Sequence, residues 1–250
     1  KKNKAIYLLF LMPFVYFATA CFVVWLVKTS GIYPSGSDTM YHVYRGDYVY
    51  NAIKSGNWYP LYDPAWYNGV EILRYWSPFP AYVMAFCQYL AGGSQFGAYL
   101  FYIGGVCFLG ACVWPFIGRG FNRPYLGAFI GLLWFFIPNN LCAIFIEGNL
   151  ARSLSMIFLP VFIYSVYKYL YNHKLRYIPL MVFTFLLMEL CHLGYAGMVA
   201  IAVIIYGIVY IIQKGRKKAV LDVVISMIFG FMLLGIWLVA SLRGCLLYTS

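Results

Sequence analysis

Apolar stretches about 20 residues long, the length needed to cross a bilayer, recur along this chain with short basic segments between them. Residues 5–27 form the first, and the leading KKNK predicts a helix whose N-terminus is held on the cytoplasmic side. A cleaved leader is the rival reading, but the stretch is too long and no small-residue cleavage site follows it. Further spans are predicted over 96–117, 125–142, 153–171, 177–191, 195–212 and 219–240. Residues 79–91 differ. Fenced by SPFP and GG, they are shorter than a comfortable span, which predicts a re-entrant or interfacial segment.

The basic segments choose a path through the bilayer. If 79–91 crosses, then GRGFNR, NHKLR and QKGRKK all fall outside, against the preference of Lys and Arg for the cytoplasmic side. If it dips in and returns, all three fall inside, and we adopt that path. The non-cytoplasmic face then receives the long loop 28–78, the segment EGNLAR and the turn CHLGY. With them go Asp38, His42, Glu147, Arg152, Glu189 and His192.

Composition agrees with a membrane chain. It is 64% hydrophobic and 10% charged, against roughly 25% charged in soluble domains. The expected fold is all-α, a polytopic transmembrane helix bundle, multi-pass, in the plasma membrane. The net charge of +11 lies in scattered short clusters. No basic stripe forms, so the lipid bilayer rather than nucleic acid is the expected partner. Cys21, Cys87, Cys107, Cys112, Cys142 and Cys191 lie in or beside apolar stretches without CxxC spacing, and read as small buried hydrophobes. The chain does not begin with Met, and CLLYTS reads like a translated sequencing-library adaptor. Residues 245–250 are therefore set apart from a single transmembrane domain over 1–244, with a longer protein expected past Gly244.

The loop 28–78 concentrates scarce ionisable groups. GSDTMYHVYRGD predicts a helix with Ser37 as N-cap, Asp38 in the first turn and Gly56 as its stop. Asp38, His42 and Arg45 are spaced i, i+4, i+7 along one face, beside a stripe of Tyr41, Tyr44 and Tyr48. Turns are predicted at Asp63-Pro64 and Asn68-Gly69. Trp and Tyr rings here suit a membrane interface, and they equally suit a flat amphipathic ligand such as a sugar.

The opening GSDTMYH, then SGNWYPLYDPAWYNG, SPFPAYV, IGRGFNRPYLGA and EGNLARSLSMIFLP, resembles the integral-membrane proteins called 6-pyruvoyl-tetrahydropterin-synthase-related. Those are similar in turn to GT-C type glycosyltransferases, which use polyprenyl-phosphate-linked sugars. The resemblance implies an acidic catalytic residue in the first outside loop, at the position of Asp38, and a glycan or protein acceptor. Many GT-C members carry paired acids, DxD or ExD, and this chain has neither. Pterin chemistry of the kind in the family's label uses three histidines on zinc. Here His42, His173 and His192 are the only three, and His173 lies in a segment read as cytoplasmic, which excludes that site.

Transfer of a sugar from a lipid phosphate needs a base, an oriented sugar and an offset for charge on the phosphate. Asp38 is the candidate base, or a ligand of a divalent cation (Mg or Mn), and His42 would orient it or share its proton. Arg45, Arg74 and Arg152 are candidates for the phosphate. Trp58, Trp66, Tyr67 and Trp76 would contact sugar. Glu147 would extend the site or simply pair with Arg152. Glu189 and His192, three apart at the end of an apolar helix, would extend it or form one structural pair. The remaining basic clusters read as topological anchors. Two other functions fit the same pattern: transport of a lipid-linked sugar, and a non-catalytic scaffold in envelope glycan assembly.

Overall fold

The computed structural model describes residues 2–66 and 69–248. The chain forms two compact units, Lys1–Pro60 with Phe79–Ile157, and Leu61–Pro78 with Phe158–Ser250. Among the described residues there is no strand, only an isolated antiparallel bridge between Asp63 and Val70.

The first unit holds α1 (Lys2–Ser30), α2 (Thr39–Lys54), α3 (Phe79–Leu90), α4 (Gln95–Gly120), α5 (Pro124–Leu133) and α6 (Pro138–Leu141), and the start of α7 (Leu150–Asn172). Small residues let these helices approach closely, as packing in lipid requires. A Cβ on Gly118 would lie 2.6 Å from the Gly127 Cα, so α4 and α5 meet backbone to backbone. The Tyr16 hydroxyl of α1 donates to the Ala128 carbonyl at 2.8 Å. At the short α3, Gln88 is buried, and its amide donates to Asp47 Oδ1 of α2 at 2.6 Å and to the Gly93 carbonyl at 3.1 Å. Ser94 then caps α4, its Oγ accepting from Gly97 N–H.

The second unit holds the loop 61–78, the rest of α7, α8 (Tyr177–Cys191), α9 (Leu193–Lys214), α10 (Lys217–Leu233) and α11 (Gly235–Tyr248). Phe162, Val166, Leu170, Met181, Phe185 and Met227 stand at the centre of its core. The loop is not loose. Trp237 Nε1 donates to the Leu73 carbonyl at 2.8 Å, and Ser241 Oγ donates to the Arg74 carbonyl.

Four described helices are long and apolar enough to cross a membrane: Phe10–Ser30 within α1, Gln95–Gly120, Leu150–Asn172 and Leu193–Lys214. Two predicted spans are broken instead of straight. The stretch 125–142 ends at Phe136 and resumes at Pro138 with a 40° bend, because proline cannot donate to the preceding turn. The helix then tightens and widens through a 3-10 turn (Trp134–Phe136) and a π turn (Cys142–Ile146). The stretch 219–240 bends by 62° between Leu233 and Gly235. Residues 79–90 form one unbroken helix of 12 residues.

Candidate functional site

In the first unit, the entry to α2 and the entry to α7 are laced together. Asp38 N–H donates to the Glu147 carbonyl at 3.0 Å, and Ser37 Oγ donates to the same oxygen at 3.0 Å. The approach depends on two glycines. A Cβ on Gly36 would lie 2.5 Å from the Gly148 Cα, and Gly148 itself has φ +66°, in the left-handed region where glycine is at ease. Just beyond, Asn149 Oδ1 accepts from Arg152 N–H at 2.9 Å and starts α7. Arg152 Nη1 pairs with Glu147 Oε2 at 2.7 Å, and Cys142 Sγ donates to Glu147 Oε1 at 3.4 Å.

This corrects the expected start of α2. Asp38, not Ser37, is the N-cap, and its side chain makes no cap hydrogen bond. Ser37 is turned to Glu147 instead. The Asp38 carboxylate is exposed, while His42 and Arg45 point into the unit, Arg45 being only 2% exposed. The expected shared face is therefore split between water and interior. The His42 ring meets Tyr41 edge-on at 5.6 Å, and the Arg45 guanidinium lies 5.4 Å from the Tyr41 ring centre. Burial presses the Arg45 pKa below its ordinary value. Trp58 is exposed, and its carbonyl accepts from the Tyr82 hydroxyl at 2.7 Å.

The second unit carries the other candidates. Arg74 pairs with Glu71 one turn earlier. Trp76 is exposed, and Ser77 Oγ donates to the Glu189 carbonyl at 2.9 Å, which pins this segment to the end of α8. Glu189 is buried, and its Oε2 has no hydrogen-bond partner. His192 does not share a helix with it, as the i, i+3 spacing predicts. The helix α8 ends at Cys191, and His192 is extended and caps α9, with Nδ1 accepting from Tyr195 N–H at 3.0 Å. Asp63 turns the chain as predicted, its Oδ1 accepting from Ala65 N–H at 2.9 Å. Trp66 is half-buried, its carbonyl accepting from Gly69 N–H. Tyr67 and Asn68 lie outside the described residues.

Among the described residues no three His, Cys, Asp or Glu side chains gather as a metal cluster. At the α2–α7 junction the Asp38 carboxylate is exposed and the Glu147 carboxylate pairs with Arg152. What the sequence did not reveal is the part played by Ser37, Gly36 and Gly148. The only local signal was glycine before Ser37 and again inside EGN.

No curated protein and no solved structure matches this chain. The family model of the 6-pyruvoyl-tetrahydropterin synthase related domain, described as a membrane protein, matches residues 73–249. That match covers most of the apolar helices and the α7 side of the junction, Glu147 to Arg152, while Asp38 and α2 precede it, and the chain belongs to this family of membrane proteins.

Proposed function

We propose that the chain is a membrane glycosyltransferase-like protein of GT-C type. It moves a sugar from a polyprenyl-phosphate donor to a glycan or protein acceptor on the non-cytoplasmic face. The observation that carries this reading is the junction of α2 and α7. An exposed carboxylate, Asp38, is tied through its own backbone to Glu147, which in turn holds the Arg152 guanidinium.

In the transfer, the acceptor hydroxyl oxygen attacks the anomeric carbon and its proton passes to Asp38. The bond from the anomeric carbon to the phosphate oxygen breaks, and its electron pair leaves with the polyprenyl phosphate. Arg152 offsets that charge while Glu147 holds it in place. His42 and Arg45, being interior, act by fixing α2 and so the position of Asp38. Exposed Trp58, in the same unit, offers a ring face to sugar.

The test uses the purified full chain with a short-chain polyprenyl-phosphate glucose or mannose, reading release of polyprenyl phosphate. Asp38→Asn should lower release at least a hundredfold and leave thermal stability unchanged, since the carboxylate caps nothing. An unaltered rate overturns the assignment. Sugar carried across vesicles without cleavage indicates transport, and absence of both indicates a scaffold. Cysteines placed at Ser35 and Asn149 should label from outside, and those at Asn122 and Asn172 from the cytoplasm.

A further inference from the structure

In the second unit, the ends of α7, α9 and α10 surround a cavity of about 500 Å³ lined by Tyr169, His173, Arg216, Lys217, Lys218 and Asp222. It holds three cations and one carboxylate, an excess of positive charge. Asp222 Oδ2 accepts from the Tyr169 hydroxyl at 2.6 Å. Neither the Arg74–Glu71 nor the Arg152–Glu147 ion pair involves these cations, and Asp222 offsets one of the three positive charges.

Ordinary anchoring does not account for these cations. Lys214 lies in the last turn of α9, where the helix dipole favours positive charge. Lys217 and Lys218 instead open α10, at the end that already carries partial positive charge, and Arg216 at its N-cap makes no side-chain cap bond. Like charges are thus crowded beside the unsatisfied first-turn amides of a 17-residue helix. The backbone is turned to build this corner. His173 has φ +52°, a conformation non-glycine residues rarely adopt, and it brings the imidazole Nε2 onto the Arg216 guanidinium.

Tyrosines gather at the same helix ends. Tyr167 and Tyr171 stack at 4.4 Å, Tyr171 meets Tyr210 edge-on at 5.5 Å, and the Tyr210 hydroxyl donates to the Leu170 carbonyl. Such tyrosine clusters mark the membrane–water boundary.

We propose that this cavity binds a phosphate group, with Arg216, Lys217 and Lys218 as its charged contacts and the first turn of α10 as its backbone contact. Two sources offer that chemistry, an anionic phospholipid headgroup and soluble phosphate. The full chain in an uncharged detergent is titrated separately with dihexanoyl phosphatidic acid, dihexanoyl phosphatidylcholine and inorganic phosphate. Binding is read by native mass spectrometry and by the rise in Tm. Phosphatidic acid should bind, and the double variant Lys217→Gln, Lys218→Gln should weaken it about tenfold or more. Lys174→Gln with Lys214→Gln, cations near the same helix ends but not lining the cavity, should change it less than twofold. Tighter binding of phosphatidic acid than of inorganic phosphate assigns the site to the bilayer, and the reverse assigns it to a soluble ligand. Both double variants should keep the ligand-free Tm, so a loss of binding is not a loss of fold. Three results overturn the proposal: no binding of either phosphate, equal loss in both double variants, or phosphatidylcholine binding as well as phosphatidic acid.

Discussion

The α2–α7 junction and the corner between α7, α9 and α10 are both charged helix ends, yet they treat their cations in opposite ways. At the junction, Arg152 is met by Glu147 at 2.7 Å, and the backbones beneath are locked by two donors to one carbonyl. At the corner, Arg216, Lys217 and Lys218 outnumber the one acid beside them, Asp222, which accepts from the Tyr169 hydroxyl. A cation with a built-in partner is held at one position, whatever else it meets there, and losing the partner weakens the fold. A cation without one is available to a ligand and contributes little to folding. The two sites should therefore respond oppositely when charge is deleted.

The largest effect is expected from the lock itself. A Cβ at Gly148 would lie 2.2 Å from Thr39 Oγ1 in a left-handed backbone, so Gly148→Val should cost about 3 kcal/mol or more. Loss of monodisperse protein on size exclusion reads this out, with Gly105→Ala, where a Cβ meets nothing within 4 Å, as the neutral control. Next comes Arg152→Ala, which strands Glu147 at a half-exposed site and should cost about 1–2 kcal/mol. Thermal melting measures it, and adding Glu147→Ala should recover part of the loss. Tyr169→Phe should cost about 1 kcal/mol by removing the hydrogen bond to Asp222. It should also weaken phosphate binding, because the released carboxylate can then pair with a lysine. Smallest of all, Lys217→Gln with Lys218→Gln should leave the ligand-free Tm unchanged or raise it slightly. A clear fall in Tm there would erase the contrast between the two sites.

Long uniform helices were readable from the chain because twenty apolar residues admit few other structures in a bilayer. The ends of 96–117, 153–171 and 195–212 differ from α4, α7 and α9 by a few residues, the usual fraying. The bends were harder. Pro138 was visible, but whether a proline kinks or ends a helix depends on neighbours that resupply the freed carbonyls. The bend before Gly235 carries no proline at all. Site residues divide the same way. Residue type drew attention to Asp38, Glu147 and Arg152, and the pairing of Glu147 with Arg152 was one of two readings of those residues. The lock between Ser37, Asp38 and the Glu147 carbonyl did not, since its acceptor is a backbone oxygen 110 residues away that no side-chain pattern advertises. Ser37 and Asp38 are both good caps, and only tertiary contact decided which one served.

The short helix α3 rises about 18 Å, well under the hydrocarbon thickness of about 30 Å. A segment that stops so soon needs a partner for the carbonyls its end leaves open, and Gln88 supplies one. Its amide occupies the Gly93 carbonyl and Asp47 together, doing locally what hydration does elsewhere. The corner at residues 91–94, which leads straight into α4, is thus tied to α2 through one side chain.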